Sequence, residues 1–179
     1  MMKTAFSFAF ALVASAGLVC AQQSPAATAS ATIAGKNITV KYSAPSVRGR
    51  EGKLFGADGR ISKDPGYPVW RAGANAATAL HTDADLDIAG LNVPAGNYTL
   101  FVDISNPDAW QLIVNKQTGQ WGLRYDKSQD LGRVPMKMSK PSTMKELLTY
   151  SLLSDEDTKK GTLELAWEDH VASVDFTVK

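Results

Sequence analysis

The chain has 179 residues, of which 44% are hydrophobic, and its 19 Lys and Arg residues nearly balance 18 Asp and Glu residues. This length predicts one domain that is large enough to bury a sizeable core. The near-neutral charge argues against nucleic acid or an anionic lipid surface as the main partner, because both bind proteins that carry a basic excess.

The first 21 residues have the pattern of a secretory signal peptide. Lys3 supplies a positive start, the run 5–19 is apolar, and small residues lead up to Ala21. The run is too short and too rich in Ala, Ser and Gly to span a bilayer, which needs about 20 strongly apolar residues. We therefore predict cleavage after Ala21 and export to the periplasm or the cell exterior, with no integral membrane span.

Cys20 raises the alternative of lipid attachment. A bacterial lipoprotein signal usually has Leu three residues before the Cys and small residues next to it. Here Leu18 lies only two residues before Cys20, and Val19 is bulky. We favour a cleaved leader over a lipoprotein. The mature chain of 158 residues would then contain no cysteine, and losing Lys3 would bring its formal charge to zero.

After a flexible lead-in at 22–27, the chain shows the period-two alternation of half-buried strands, with turn residues between them. A hairpin is predicted over 86–102, turning at 94–97, where Pro, Gly and Asn favour a tight turn. Further strands are predicted at 28–33, 37–43, 77–82, 110–115, 132–138, 146–153, 162–167 and 172–178.

The last two strands have the clearest pattern. Leu163, Leu165 and Trp167 fall on one face of their strand, and Val174 and Phe176 fall on one face of the next. The short connection between them predicts a hairpin. Many short strands with frequent turns predict an all-β domain over 28–179, an antiparallel β-sandwich that is jelly-roll-like rather than a closed barrel.

Two segments interrupt this pattern. Residues 45–69 are rich in Gly and Pro and show little alternation, and residues 116–131 are polar yet hold Trp121 and Tyr125. Long loops on a rigid sandwich are where binding residues usually lie.

The candidate binding residues lie within or close to these segments. They are Tyr42, Arg48, Arg50, Trp70, Arg71, Asn75 and Trp121. Arginine offers a rigid fork of five donors for carboxylates, phosphates or several carbonyls, and aromatic rings beside such donors hold sugars or peptides. The alternative is a structural corner, in which Arg71 binds the carbonyls of its own loop and Asn75 takes a turn conformation. We favour the carbonyl contacts for Arg71 and keep the ligand site as the alternative.

The sequence contains no recognisable catalytic, metal or cofactor motif. A GxSxG elbow, an HExxH helix, a P-loop and a dinucleotide glycine pattern are all absent. His81 and His170 stand alone in sequence and are predicted on the surface or at strand edges. The three Asp of 83–87 alternate along a strand, which predicts a solvated face rather than a calcium site, and 155–157 predicts a charged turn. We predict no catalytic residue, no metal and no cofactor.

The chain resembles a family of secreted bacterial proteins, domain-of-unknown-function family 2911. The resemblance rests on segments that cover nearly the whole mature chain in order. They are Thr39–Arg50, Val69–Thr78, Val93–Phe101, Asn115-Lys116, Gln120-Trp121-Gly122 and Leu165–Glu168. It supports export and a single domain, and it implies no activity, cofactor or catalytic residue.

Two functions follow as hypotheses. The first is a non-catalytic exported binding or structural module, with a glycan or peptide of the cell envelope as its ligand. The second is an exported hydrolase whose site is assembled from the long loops. We favour the first because the catalytic motifs are missing, although fold alone never decides function.

Overall fold

The computed structural model describes residues 24–154 and 158–179. The predicted signal peptide, Cys20 and the predicted charged turn at 155–157 lie outside these residues. Within the described residues, no helix is long and apolar enough to cross a membrane.

Almost all the regular structure is strand, with single 3₁₀ turns at Ile61–Lys63 and Lys127–Gln129. The strands of the described residues are β1 (Ala26–Ile33), β2 (Lys36–Ser43), β3 (Val69–Trp70), β4 (Thr78–Thr82), β5 (Leu86–Ile88), β6 (Leu91–Val93), β7 (Gly96–Asp103), β8 (Gln111–Asn115), β9 (Asp130–Pro135), β10 (Lys137–Ser139), β11 (Lys145–Ser154), β12 (Lys160–Glu168) and β13 (His170–Val178).

The strands form two antiparallel sheets. The first has the order β1-β2-β4-β7-β8-β9, and β3 pairs with the end of β7 beyond β4. The second has the order β11-β12-β13-β5-β6, and β10 pairs with the start of β13. The prediction of an all-β, antiparallel sandwich is confirmed.

The core lies between the sheets and is built by the alternation seen in the sequence. In β12 the side chains of Leu163, Leu165 and Trp167 are buried, and in β13 Val174 and Phe176 are buried, while Asp175 between them is exposed. Period-two burial of this kind stabilises a sheet by removing one apolar face from water.

One predicted strand is divided between the two sheets. The predicted strand at 132–138 ends in the first sheet at Pro135 and resumes in the second at Lys137. Between them the Met136 amide donates to the Trp110 carbonyl at 2.9 Å, and Met136 is buried. The alternation continues across the break, so the sequence pattern contained no sign of the change of sheet. At the other end of the domain, β1 begins at Ala26, two residues before the predicted start.

The segment 116–129 covers the outer face of the first sheet. Phe101, on that face, is buried and meets the Tyr125 ring edge-on at 5.0 Å. The Tyr125 hydroxyl donates to Asp130 at 2.6 Å, and burial together with that carboxylate raises the pKa of Tyr125 to about 12. Arg133 binds Asp130 at 3.2 Å and Asp103 at 2.8 Å. This network holds the segment on the sheet.

The glycine- and proline-rich segment 45–69 closes one end of the core. Its first residues pair with β11, since the Val47 amide donates to the Glu146 carbonyl and the Leu148 amide donates to the Pro45 carbonyl. Val47, Leu54 and Ile61 are buried in the main core. The segment is therefore part of the packed domain, and it forms one wall of the candidate site.

Candidate functional site

A pocket of about 230 Å³ lies where the segment 45–69 meets β3, β12 and the chain that follows β3. We call it the arginine pocket, because four arginines and two tryptophans line it. The described residues that line it are Ser24, Pro45, Ser46, Arg48, Arg50, Leu54, Arg60, Ile61, Asp64, Trp70, Arg71, Gly73, Ala74 and Trp167.

Arg50 holds the turn that begins the pocket wall. Its Nε donates to the Val47 carbonyl at 2.7 Å, and its Nη2 donates to the Ser46 carbonyl at 2.6 Å. A guanidinium that binds two carbonyls of its own turn replaces hydrogen bonds that an irregular backbone would otherwise lack. This is the role that we predicted for Arg71, and in the structure Arg50 has it.

Glu146, at the start of β11, anchors the same turn from behind. Its Oε1 accepts hydrogen bonds from the Arg48 amide at 3.0 Å and from the Ser46 hydroxyl at 2.8 Å. These two donors, the amide first, hold the pKa of the Glu146 carboxyl below its ordinary value. Arg48 itself takes a left-handed backbone conformation with φ of 53°. The turn is thus held by the Arg50 side chain on one side and by Glu146 on the other. Both Arg48 and Arg50 line the pocket.

The Arg71 side chain lies between the pocket and the segment 116–129. Its Nη2 lies 3.7 Å from Asp64 Oδ2, and its Nε is buried without a hydrogen-bond acceptor in the described residues. Its aliphatic part packs on Gly122, where an added Cβ would come within 2.6 Å of Arg71 Cδ. Because Gly122 has no side chain, the Arg71 side chain can pack directly against its backbone. Arg71 makes this long contact with Asp64 in place of the carbonyl contacts expected from the sequence.

Trp70 and Trp167 form the aromatic side of the pocket. Their rings stack with centroids 5.9 Å apart and planes 12° apart, and both side chains are buried. The Trp167 Nε1 has no acceptor within the described residues. Phe55, from the segment 45–69, contacts both rings edge-on. Trp167 lies on the buried face of β12, as its alternation with Leu163 and Leu165 predicts, and it also lines the pocket.

Three of the predicted site residues lie outside the pocket. Tyr42 packs edge-on against Tyr150, and its hydroxyl accepts a hydrogen bond from the Tyr150 amide at 3.1 Å. Asn75 has the left-handed turn conformation that the corner interpretation predicted, with φ of 61°, and its carbonyl accepts from the Gly122 amide at 2.9 Å. Trp121 is half exposed and forms an isolated bridge with Ala76.

The structure thus brings Arg48, Arg50, Trp70 and Arg71 together, and it adds Arg60, Asp64 and Trp167. Arg60 and Asp64 belong to the same segment 45–69, so their charge and position were available from the sequence. The position of Trp167 in the pocket could not be predicted from the sequence. β12 is remote in the chain from the segment 45–69, and its alternation indicates only that Trp167 is buried.

The two histidines have different surroundings. His81 lies on β4 with 43% of its side chain exposed, and its Nε2 lies 2.9 Å from Asp83 and its Nδ1 2.9 Å from Asn97. These hydrogen bonds, that of Asp83 first, raise the pKa of His81. His170 is half-buried and stacks on Trp110 at 5.2 Å, and its Nδ1 lies 2.6 Å from Asp169 Oδ1. It lines a cavity of about 270 Å³.

The described residues contain one cluster of three potential metal ligands. Glu168, Asp169 and His170 place one ligand atom each within 4.8 Å of one another. The Glu168 carboxylate already accepts the Gly52 amide. In the acidic stretch 83–87, each carboxylate accepts a separate backbone amide. These carboxylates stabilise turns of the chain.

No curated protein and no solved structure matches this chain. A family model described as "Protein of unknown function (DUF2911)" matches residues 24–176, which is most of the chain. The chain therefore belongs to the DUF2911 family of proteins of unknown function.

Proposed function

We propose that this protein is an exported, non-catalytic binding module and that its ligand occupies the arginine pocket. The observation that carries the proposal is the lining: four arginines and a stacked pair of tryptophans surround one cavity, with Asp64 as the one carboxylate among the described lining residues. Arginine and tryptophan are enriched where proteins recognise ligands and partners, because they combine directional donors with large apolar area.

The same lining favours recognition over catalysis. Arginine stays protonated in proteins, so it binds and orients groups but does not exchange protons with them near neutral pH. Asp64, the remaining charged group of the described lining, lies beside Arg71. A pocket with this composition holds a ligand by charge and hydrogen bonds. The ligand classes that we propose are glycans and peptides of the cell envelope, met in the periplasm or outside the cell.

Glycan and peptide arrays test this proposal. The full-length chain is expressed, and the protein is purified after export and applied to the arrays. We expect ligands that bind more tightly than millimolar and that are lost in Arg71→Met. Arg124→Met is the matched control, since Arg124 is exposed on the segment 116–129 and lies outside the pocket. The proposal is wrong if no ligand reaches that affinity, or if Arg71→Met and Arg124→Met bind equally.

A hydrolase is the second candidate, and one observation favours it. The Asp169 carboxylate lies 2.6 Å from His170 Nδ1, and His170 lines a cavity together with Phe55 and Trp110. A carboxylate that hydrogen-bonds an imidazole can orient it as a general base. Here the two atoms are close but lack hydrogen-bond geometry, so this role requires a change in the orientation of one side chain. Ester, glycoside and peptide substrates test this candidate. Hydrolysis that His170→Asn abolishes and His81→Asn leaves intact would support it, and hydrolysis that is absent or unchanged would exclude it.

A further inference from the structure

We infer that the arginine pocket selects a small ligand through an oxyanion, a carboxylate or a phosphate. This inference rests on the proposed binding function and adds the chemical class of the ligand. It follows from the charge of the lining, from the hydrogen-bonding groups left without partners, and from the size of the cavity.

The charge of the lining is strongly one-sided. Arg50, Arg60 and Arg71 line a cavity whose described lining contains one carboxylate, that of Asp64. Arg50 binds carbonyls, which accept its hydrogen bonds without neutralising its charge. The Arg60 guanidinium is exposed and forms no ion pair with the described residues. Glu146 lies behind the turn and is outside the pocket lining. Like charges gathered around one cavity repel each other, and an anion between them removes that repulsion.

In the described lining of the pocket, the buried polar groups without partners are donors. Arg71 Nε and Trp167 Nε1 are both covered by protein, and neither has an acceptor within the described residues. A buried donor without an acceptor costs roughly 1 to 3 kcal/mol, and more when it is charged. The Arg71 side chain keeps 19% of its surface exposed, so a ligand can approach the guanidinium. The group that complements such donors is an acceptor with several oxygens, as in a carboxylate or a phosphate.

The size of the cavity limits the ligand to a small molecule. Pockets that enclose drug-sized ligands have volumes of about 300–1,000 Å³, and this one has about 230 Å³. It accommodates an acidic group together with part of one ring. Leu54, Ile61 and Trp70 supply apolar contacts for that ring. The inference is therefore a small acidic molecule, such as a sugar acid or a sugar phosphate.

Three sugars that share one ring test the inference. Glucuronate carries a carboxylate, glucose 6-phosphate carries a phosphate, and glucose carries neither. Each is titrated into the exported protein labelled with ¹⁵N, and the Arg71 Nε–H and indole N–H signals are followed by NMR. We expect at least one anion to shift the Arg71 and Trp167 signals saturably, with an affinity at least tenfold above that of glucose. The two anions show whether carboxylate or phosphate is preferred.

Variants locate the bound anion. We expect Arg60→Met and Arg71→Met each to weaken its binding by about tenfold or more, as for the loss of a charge-assisted contact. Arg124→Met is expected to bind like the wild type. Because Arg60 is exposed, its variant keeps the test valid even if Arg71→Met fails to fold. Binding should also weaken as sodium chloride is added, since salt screens these charges.

The possible failures are distinguishable. If neutral sugars or neutral array ligands bind in an Arg71-dependent manner and neither anion does, the oxyanion inference is wrong while the binding function stands. If no array ligand and no sugar binds, both are wrong. Anion binding that Arg60→Met and Arg71→Met leave unchanged would overturn the inference for this pocket.

Discussion

The carbonyl of Ala72 offers a direct test of how the two sheets are joined beside the arginine pocket. Ala72 follows Arg71, is fully buried and has φ of 45°. Its carbonyl accepts one hydrogen bond from the Tyr150 hydroxyl of β11 at 3.0 Å and another from the Thr78 hydroxyl of β4 at 3.1 Å. Burial raises the pKa of Tyr150, so its hydroxyl remains a donor at every physiological pH. This carbonyl therefore connects strands of different sheets.

Replacing Tyr150 by Phe removes one of these two hydrogen bonds and leaves the ring in place. A hydrogen bond of this kind contributes about 1 kcal/mol to stability. For a domain of this length, that loss lowers Tm by roughly 2–4 °C. Thr78→Val removes the other donor. We expect it to lower the stability by about the same amount, because the Ala72 carbonyl then still accepts the hydrogen bond from the Tyr150 hydroxyl.

The double variant is the decisive measurement. With both hydroxyls removed, a buried carbonyl loses both side-chain donors and has no contact with water, and the penalty for an unsatisfied buried group is about 1 to 3 kcal/mol. We therefore expect Tyr150→Phe with Thr78→Val to cost roughly 3 to 4 kcal/mol, more than the sum of the single changes by about 1 to 2 kcal/mol.

Urea unfolding followed by fluorescence of the four tryptophans provides the assay. Equal m values for all variants would show that the extent of unfolding is unchanged. Tyr67→Phe is the matched control, because Tyr67 is 39% exposed and its change should stay within about 0.5 kcal/mol of the wild type. A Tyr150→Phe variant as stable as this control, or strictly additive costs in the double variant, would refute the reasoning.

Three further predictions concern charged side chains. Arg50→Met should cost about 2 kcal/mol of stability in urea unfolding, because it removes charge-assisted hydrogen bonds to carbonyls at 2.7 and 2.6 Å. The Glu146 carboxyl has a lowered pKa, so the stability that it contributes is present above its ordinary pKa of 4.5 and is lost as pH falls through the folded value. Glu146→Gln should remove that pH dependence in urea unfolding between neutral pH and acid. His81 has a raised pKa, so its contribution is present below 6.5 and is lost as pH rises through the folded value. An NMR titration of Asp83→Asn should show the His81 pKa moving down.

Each of these three predictions has an outcome that contradicts it. An Arg50→Met variant as stable as Arg124→Met would show that the turn does not depend on the two carbonyl contacts. A Glu146→Gln variant that loses stability in acid as steeply as the wild type would remove Glu146 as the cause. If the His81 pKa is the same in Asp83→Asn as in the wild type, the carboxylate is not what raises it.

The local pattern determined most of the sheet structure. Strands such as β12 and β13 are readable from the chain because side chains alternate between the two faces of a strand, whatever the strand packs against. The hairpin predicted over 86–102 with its turn at 94–97 was wrong, because β6 and β7 on either side of that turn lie in different sheets. The hairpin in this stretch joins β5 to β6 and turns at Ala89 and Gly90, which both have positive φ. The all-β, antiparallel sandwich follows from these elements.

Other parts of the fold depend on partners that are distant in sequence. The change of sheet at Met136 leaves the alternation intact, so nothing in the local pattern marks it. Likewise, the segment 45–69 shows no regular alternation of apolar residues, yet it buries Val47, Leu54 and Ile61. Burial in such a segment depends on the surfaces against which it packs. Irregular backbone acquires its contacts from tertiary structure.

The same division applies to the candidate site. The sequence alone determined that Arg48 and Arg50 lie in one glycine- and proline-rich segment and that Trp70 and Arg71 directly follow it, and all four line one pocket. Only the tertiary structure decided that Arg50 binds the carbonyls, that Arg71 packs on Gly122 beside Asp64, and that Trp167 arrives from β12. The physical reason is that a long side chain has many rotamers, and the atoms packed around it select among them.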